Sequence, residues 1–98
     1  MKIDFTNDNG NVVVALDGRL DTASSPELES FLADKFGGME TLTFDCEKLI
    51  YVSSAGLRVF LMAQKKMKMK ASMKLVNVCE LVMEVFEITG FTDILTIE

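Results

Sequence analysis

Four small residues, Ser53-Ser54-Ala55-Gly56, interrupt the largely apolar stretch from Glu47 to Gln64. Two adjacent hydroxyls there could attack a substrate, cap a helix, or receive a group from another protein. Attack requires a base, usually histidine, within hydrogen-bond reach, and the chain contains no histidine. The stretch is not G-x-S-x-G, and Leu57 and Arg58 occupy the third and fourth places after Ser54, so no S-x-x-K pair forms. Gly56 lacks the partner glycines and the Gly-Lys-Ser/Thr run of a phosphate loop. Cys46 and Cys79 are far apart in sequence, without metal-ligand or C-x-x-C spacing, and both read as buried thiols. The residue types therefore point away from an enzyme and predict no cofactor and no metal. Capping a helix and receiving a phosphate remain open for the serine pair.

The elements that must position these serines follow from periodicity. Lys2 to Phe5 alternates, Asn7-Asp8-Asn9-Gly10 supplies turn chemistry, and Asn11 to Asp17 is valine-rich, predicting a β-hairpin with Asn9-Gly10 near its tip. Ser24-Ser25-Pro26-Glu27 marks a helix start, with Ser24 as cap. Leu28, Phe31, Leu32 and Phe36 share one face, and Gly37-Gly38 closes that helix. Thr41 to Asp45 alternates as a strand. A second helix begins after Ser54 and runs through Leu57, Phe60, Leu61 and Gln64 toward Met67. Lys74 to Val78 reads as a central strand, apolar on both faces. A third helix starts near Glu80, with Leu81, Val82, Val85, Phe86 and Thr89 as its buried stripe and Gly90 after its end, and Ile94 to Ile97 makes a last short strand.

The resulting order, β-β-α-β-α-β-α-β, predicts one α/β domain over residues 1–98: a mixed sheet of four to five strands, an opening hairpin and otherwise parallel pairing, packed with three main helices. Ser53 and Ser54 then lie where a strand's carboxyl end hands over to a helix, a common place for sites in such sheets. Phosphorylation there would add roughly −1.5 to −2 charges at the positive end of a helix, altering the surface without unfolding the domain.

Composition narrows the partners. Fifteen acidic against ten basic residues give a formal charge of −5, which disfavours nucleic acid. No apolar run can span a bilayer and the N-terminus lacks a signal-peptide profile, so a cytoplasmic location without direct membrane binding is expected. Lys65 to Lys74 holds half of the basic residues. It reads as the lysine-rich end of the second helix, with Met67 and Met69 partly packed inside.

Three segments, VVVALDGRLDTASSPELE at Val12–Glu29, LTFDCEKLIYVSSAGLRVFL at Leu42–Leu61 and VFEITGFTDIL at Val85–Leu95, resemble the STAS domains. Within that family the chain is similar to the small bacterial anti-sigma factor antagonists. The resemblance implies phosphorylation at Ser54, with Ser53 as the competing acceptor, by an anti-sigma factor that is itself a serine kinase. It further implies that a PP2C-type phosphatase restores the hydroxyl, and that the unphosphorylated form binds the anti-sigma factor and frees a sigma factor. It places Asp21, Thr22, Ser53, Ser54, Ala55, Gly56 and Arg58 at the partner surface. Asp21 equally fits a turn or helix-entry role, and Arg58 a solvated one. Where the best-known motif has Asp-Ser-Ser-Gly, this chain has Ser53-Ser54-Ala55-Gly56, and Cys79 stands where relatives often have a capping serine. A monomer or weak homodimer is expected. The alternative is a stand-alone STAS subunit of a transport system, docking by the same surface without phosphate exchange.

Overall fold

The computed structural model describes residues 1–98, apart from the side chain of Lys70. Strand β1 (Lys2–Asp8) pairs antiparallel with β2 (Asn11–Leu20). The turn between them places Asn9 and Gly10 at φ of 53° and 91°, the backbone that two-residue hairpins demand and that Asn-Gly supplies. Helix α1 (Ser25–Ala33) follows, then β3 (Thr41–Val52), α2 (Ser54–Met67), β4 (Met73–Val76) and α3 (Glu80–Thr89). The sheet order is β1-β2-β3-β4, with β2, β3 and β4 mutually parallel.

That order explains where the core lies. Each crossover steps to the next strand in the same direction, and because such crossovers are right-handed, all of them deliver their helices to one face. Val12, Val14, Leu16, Phe44, Cys46, Met73 and Leu75 are buried beneath the helices. The alternate residues Val13, Asp17, Thr43, Asp45, Lys74 and Val76 are exposed or half-buried on the bare face. Phe44, Phe60 and Phe86 join sheet, α2 and α3 edge-to-face, with centroids 5.1 and 5.9 Å apart. Cys46 is buried and its thiol is pushed up to about 12, first by that burial and then by neighbouring Asp45 and Cys79. Cys79, predicted buried, is half-buried beside the Leu49 carbonyl.

Several boundaries differ from the sequence reading. Helix α1 stops at Ala33, where Lys35 donates to the Phe31 carbonyl at 2.8 Å, and Phe36 and the Gly37-Gly38 pair form a separate 3-10 turn. β3 continues to Val52, its register slipping twice against β2, which obscures the alternation. β4 ends the four-stranded ladder, with only the 96–98 segment bonded beyond it at Leu75, and its Lys74 and Val76 lie half-buried on the bare face. The last strand shrinks to a single bridge, Leu75 to Ile97, after a 3-10 turn at Phe91–Asp93. In α3, Val82 and Phe86 are buried and Val85 half-buried, but Leu81 and Thr89 are exposed. The lysine-rich segment is only partly helical, since Lys68 takes φ of 66° and ends α2. Met67 is buried as expected, whereas Met69 is exposed.

Candidate functional site

β2 and β3 end side by side at Leu20 and Val52. Directly after β3, the Ser53 N–H donates to the Leu20 carbonyl at 2.9 Å, tying the start of α2 to the end of β2. Ser53 is extended (φ −90°, ψ 175°) and is the N-cap of α2: its Oγ accepts from the Gly56 N–H at 3.3 Å. Its carbonyl accepts the first helical bond, from Leu57 N–H at 3.0 Å. This satisfies one of the amides that a helix start leaves without partners.

Gly56 is required by close approach. A Cβ there would lie 2.8 Å from Leu20 Cγ and 2.9 Å from the Leu20 carbonyl oxygen, so only glycine lets the first turn of α2 rest on β2. Ala55 is half-buried and Ser54 exposed. The two serines thus differ: Ser53 is half-buried and engaged, while Ser54 presents its hydroxyl outward with no bond to any described residue.

The loop leaving β2 lies alongside. Asp21 Oδ1 accepts from the N–H groups of Ala23 and Ser24, both at 3.0 Å, and from the Ser24 hydroxyl at 3.1 Å. The Asp21 carbonyl accepts from Ser25 N–H at 2.9 Å, so Asp21 holds the turn that leads into α1, whose N-cap position is Ser24. Ser24 occupies the N-cap position as expected, but its hydroxyl makes no cap bond: it donates to the Arg19 carbonyl at 2.6 Å and accepts from the Asp21 N–H at 2.9 Å. Asp21 is held below the ordinary carboxylate range, chiefly by the Ser24 N–H; its desolvation opposes this, while the Ser24 hydroxyl, the Ala23 N–H and the charge of Arg19 assist. Thr22 is exposed at the tip of this loop.

Sequence reasoning missed Arg19 and Tyr51. They are register partners on β2 and β3, with the Arg19 guanidinium 4.3 Å from the Tyr51 ring centroid and its Nε 4.0 Å from Asp21 Oδ2. No spacing pairs them, because the alternation that begins at Thr41 stops at Asp45 while β3 runs on to Val52. Arg58 is exposed one turn into α2. The structure thus brings Asp21, Ser53 and Gly56 together around Leu20, with Ser54 and Ala55 on the same first turn of α2.

The whole chain has known relatives. A Bordetella bronchiseptica protein named as a candidate anti-sigma factor antagonist, BtrV, is 38% identical over 98 residues, covering 96% of this chain and 83% of its own length. The anti-sigma-B factor antagonist of Bacillus subtilis is 30% identical, covering 99% of this chain and 90% of that protein. Among solved structures, SpoIIAA in its unphosphorylated form shares the fold with a TM-score of 0.76 at 18% identity, over 99% of this chain and 87% of that one. The Bacillus SpoIIAA structure in the phosphorylated form gives the same score at 19% identity, over 99% and 91%. Since residues 2–98 also match the STAS domain, the strand-to-helix loops described above belong to a member of the STAS domain family.

Proposed function

We propose that this chain is an anti-sigma factor antagonist that docks through the Asp21–Thr22 and Ser53–Gly56 loops, and that phosphorylation of Ser54 dissolves the complex. The observation that carries the reading is the division between the two hydroxyls. Ser53 is committed to the helix cap, and Ser54 is exposed and uncommitted. In the reaction, Ser54 Oγ attacks the γ-phosphorus of ATP and gives its proton to a base of the kinase, and ADP leaves. The new phosphate sits at a helix N-terminus, where amides without helical partners and the positive end of the dipole stabilise it, so the domain keeps its shape. The anti-sigma factor, which is also the kinase, then meets a dianion in place of a neutral hydroxyl and must desolvate it to stay bound. A PP2C-type phosphatase reverses the change by hydrolysis. Regulation of this kind works in the cytoplasm by protein contact alone.

The names of the two relatives favour this reading over a transporter subunit. The test is incubation with the cognate anti-sigma kinase and ATP, followed by mass analysis of peptides. One phosphate is expected on the peptide holding Ser54, absent in Ser54→Ala and retained in Ser53→Ala. Ser54→Asp is expected to weaken anti-sigma binding on the order of a hundredfold. Undiminished labelling of Ser54→Ala would reject the site.

A further inference from the structure

Helix α3 turns to solvent a face that its own chain leaves uncovered. Leu81 and Ile88, two turns apart and so on one side of the helix, are 66% and 85% exposed. Glu80, Glu84 and Glu87, all exposed, run along the same flank at spacings of four and three. Among the described residues none of the three is in an ion pair. Glu80, in the first turn, suits the helix dipole, but the rest of the row works against its own helix. Carboxylates one turn apart repel, and Glu87 lies near the negative end of the dipole, where α3 has no basic residue to offset it.

The opposite chemistry is displayed at the far end of α2. Lys65, Lys66 and Lys68 are exposed and, among the described residues, unpaired. The left-handed turn at Lys68 throws Met69 outward, leaving it 68% exposed. That turn is fixed: Met69 N–H donates to the Met67 carbonyl at 2.7 Å, and Gln64 Nε2 donates to the Met69 carbonyl at 3.3 Å. An apolar tip is therefore held among three cations.

We propose that these surfaces meet between copies of the chain, with Leu81 and Ile88 of one copy against Met69 of another and the α3 carboxylates facing Lys65, Lys66 and Lys68. Every copy carries both halves, so the contact needs no other protein. The carboxylates gain counter-charges that their own chain does not provide, and the three most exposed large apolar side chains leave water. The lysine end of α2 lies roughly 20 Å along the helix from Ser54, so that half of the contact is remote from the Ser54 loop. The inference does not depend on Ser54 being phosphorylated.

Analytical ultracentrifugation of the whole chain over a range of concentrations tests it. The mean mass is expected to rise with concentration at about 0.05 M salt and to fall back to the monomer near 0.5 M, as exposed charges are screened. Ile88→Glu, and separately Lys65→Glu with Lys66→Glu, should each weaken association roughly tenfold or more while circular dichroism stays native. Mixing the lysine-reversed chain with one carrying Glu84→Lys and Glu87→Lys should restore it, because the signs are exchanged across the contact. A monomer at every concentration overturns the proposal. So does association indifferent to these reversals, or an Ile88→Glu effect confined to anti-sigma binding.

Discussion

At the end of β2 the chain turns on Asp21, whose carboxylate takes two N–H groups and a hydroxyl; at the end of β3 it turns on Ser53, whose hydroxyl takes one N–H. In the first loop Asp21 and Ser24 spend their polar groups on one another and on the Arg19 carbonyl, and Thr22 stands exposed at the tip. The second uses one of its two hydroxyls for structure and leaves the other spare. Both loops close on the same Leu20, one leaving it and one resting against it. A permanent charge and a modifiable group thus stand on neighbouring supports, and changing the second does not require the first to move.

The comparison breaks most readily at Gly56. Gly56→Ala forces a Cβ against the Leu20 carbonyl, so a loss of about 1–3 kcal/mol in urea denaturation is expected. An unchanged midpoint would mean that α2 does not rest on β2. Next comes the serine pair: Ser53→Ala is expected to cost about 1 kcal/mol through the lost cap, and Ser54→Ala to stay within about 0.5 kcal/mol. The opposite ranking in thermal melts would exchange their roles. The smallest effect concerns Asp21. Its native pKa is lowered from the ordinary value of 3.8, so its contribution to stability is complete above that value and is lost as pH falls through the lowered native one. Asp21→Asn keeps an acceptor oxygen but does not titrate. The gap between wild type and this variant, followed as urea midpoint against pH, should narrow on acidification.

Much of this arrangement is legible in the residues. Asn9-Gly10 announces the hairpin, Gly90 ends α3 at φ of 78°, and the small residues after Val52 announce the start of α2. What escaped depends on tertiary pairing. The slips in register hide the second half of β3 from a period-two pattern, and with it the Arg19–Tyr51 stack. Ser24 holds the N-cap position of α1 as its place before Pro26 suggests, but its hydroxyl is turned to the Asp21 N–H and the Arg19 carbonyl, five residues before it, which no local spacing reveals. Ile94 to Ile97 has strand composition, but the 3-10 turn before it leaves room for one bridge to Leu75. At the candidate site the serine pair and Asp21 were visible from sequence. Which serine is occupied was not, because that rests on the extended backbone of Ser53.

With helices on a single side, the molecule has two layers and one interior. The ring column of Phe44, Phe60 and Phe86 crosses it from sheet to α2 to α3. Phe5 and Phe31, with centroids 5.6 Å apart, tie β1 to α1 against that same core, so loosening either aromatic contact is felt by one shared cooperative unit.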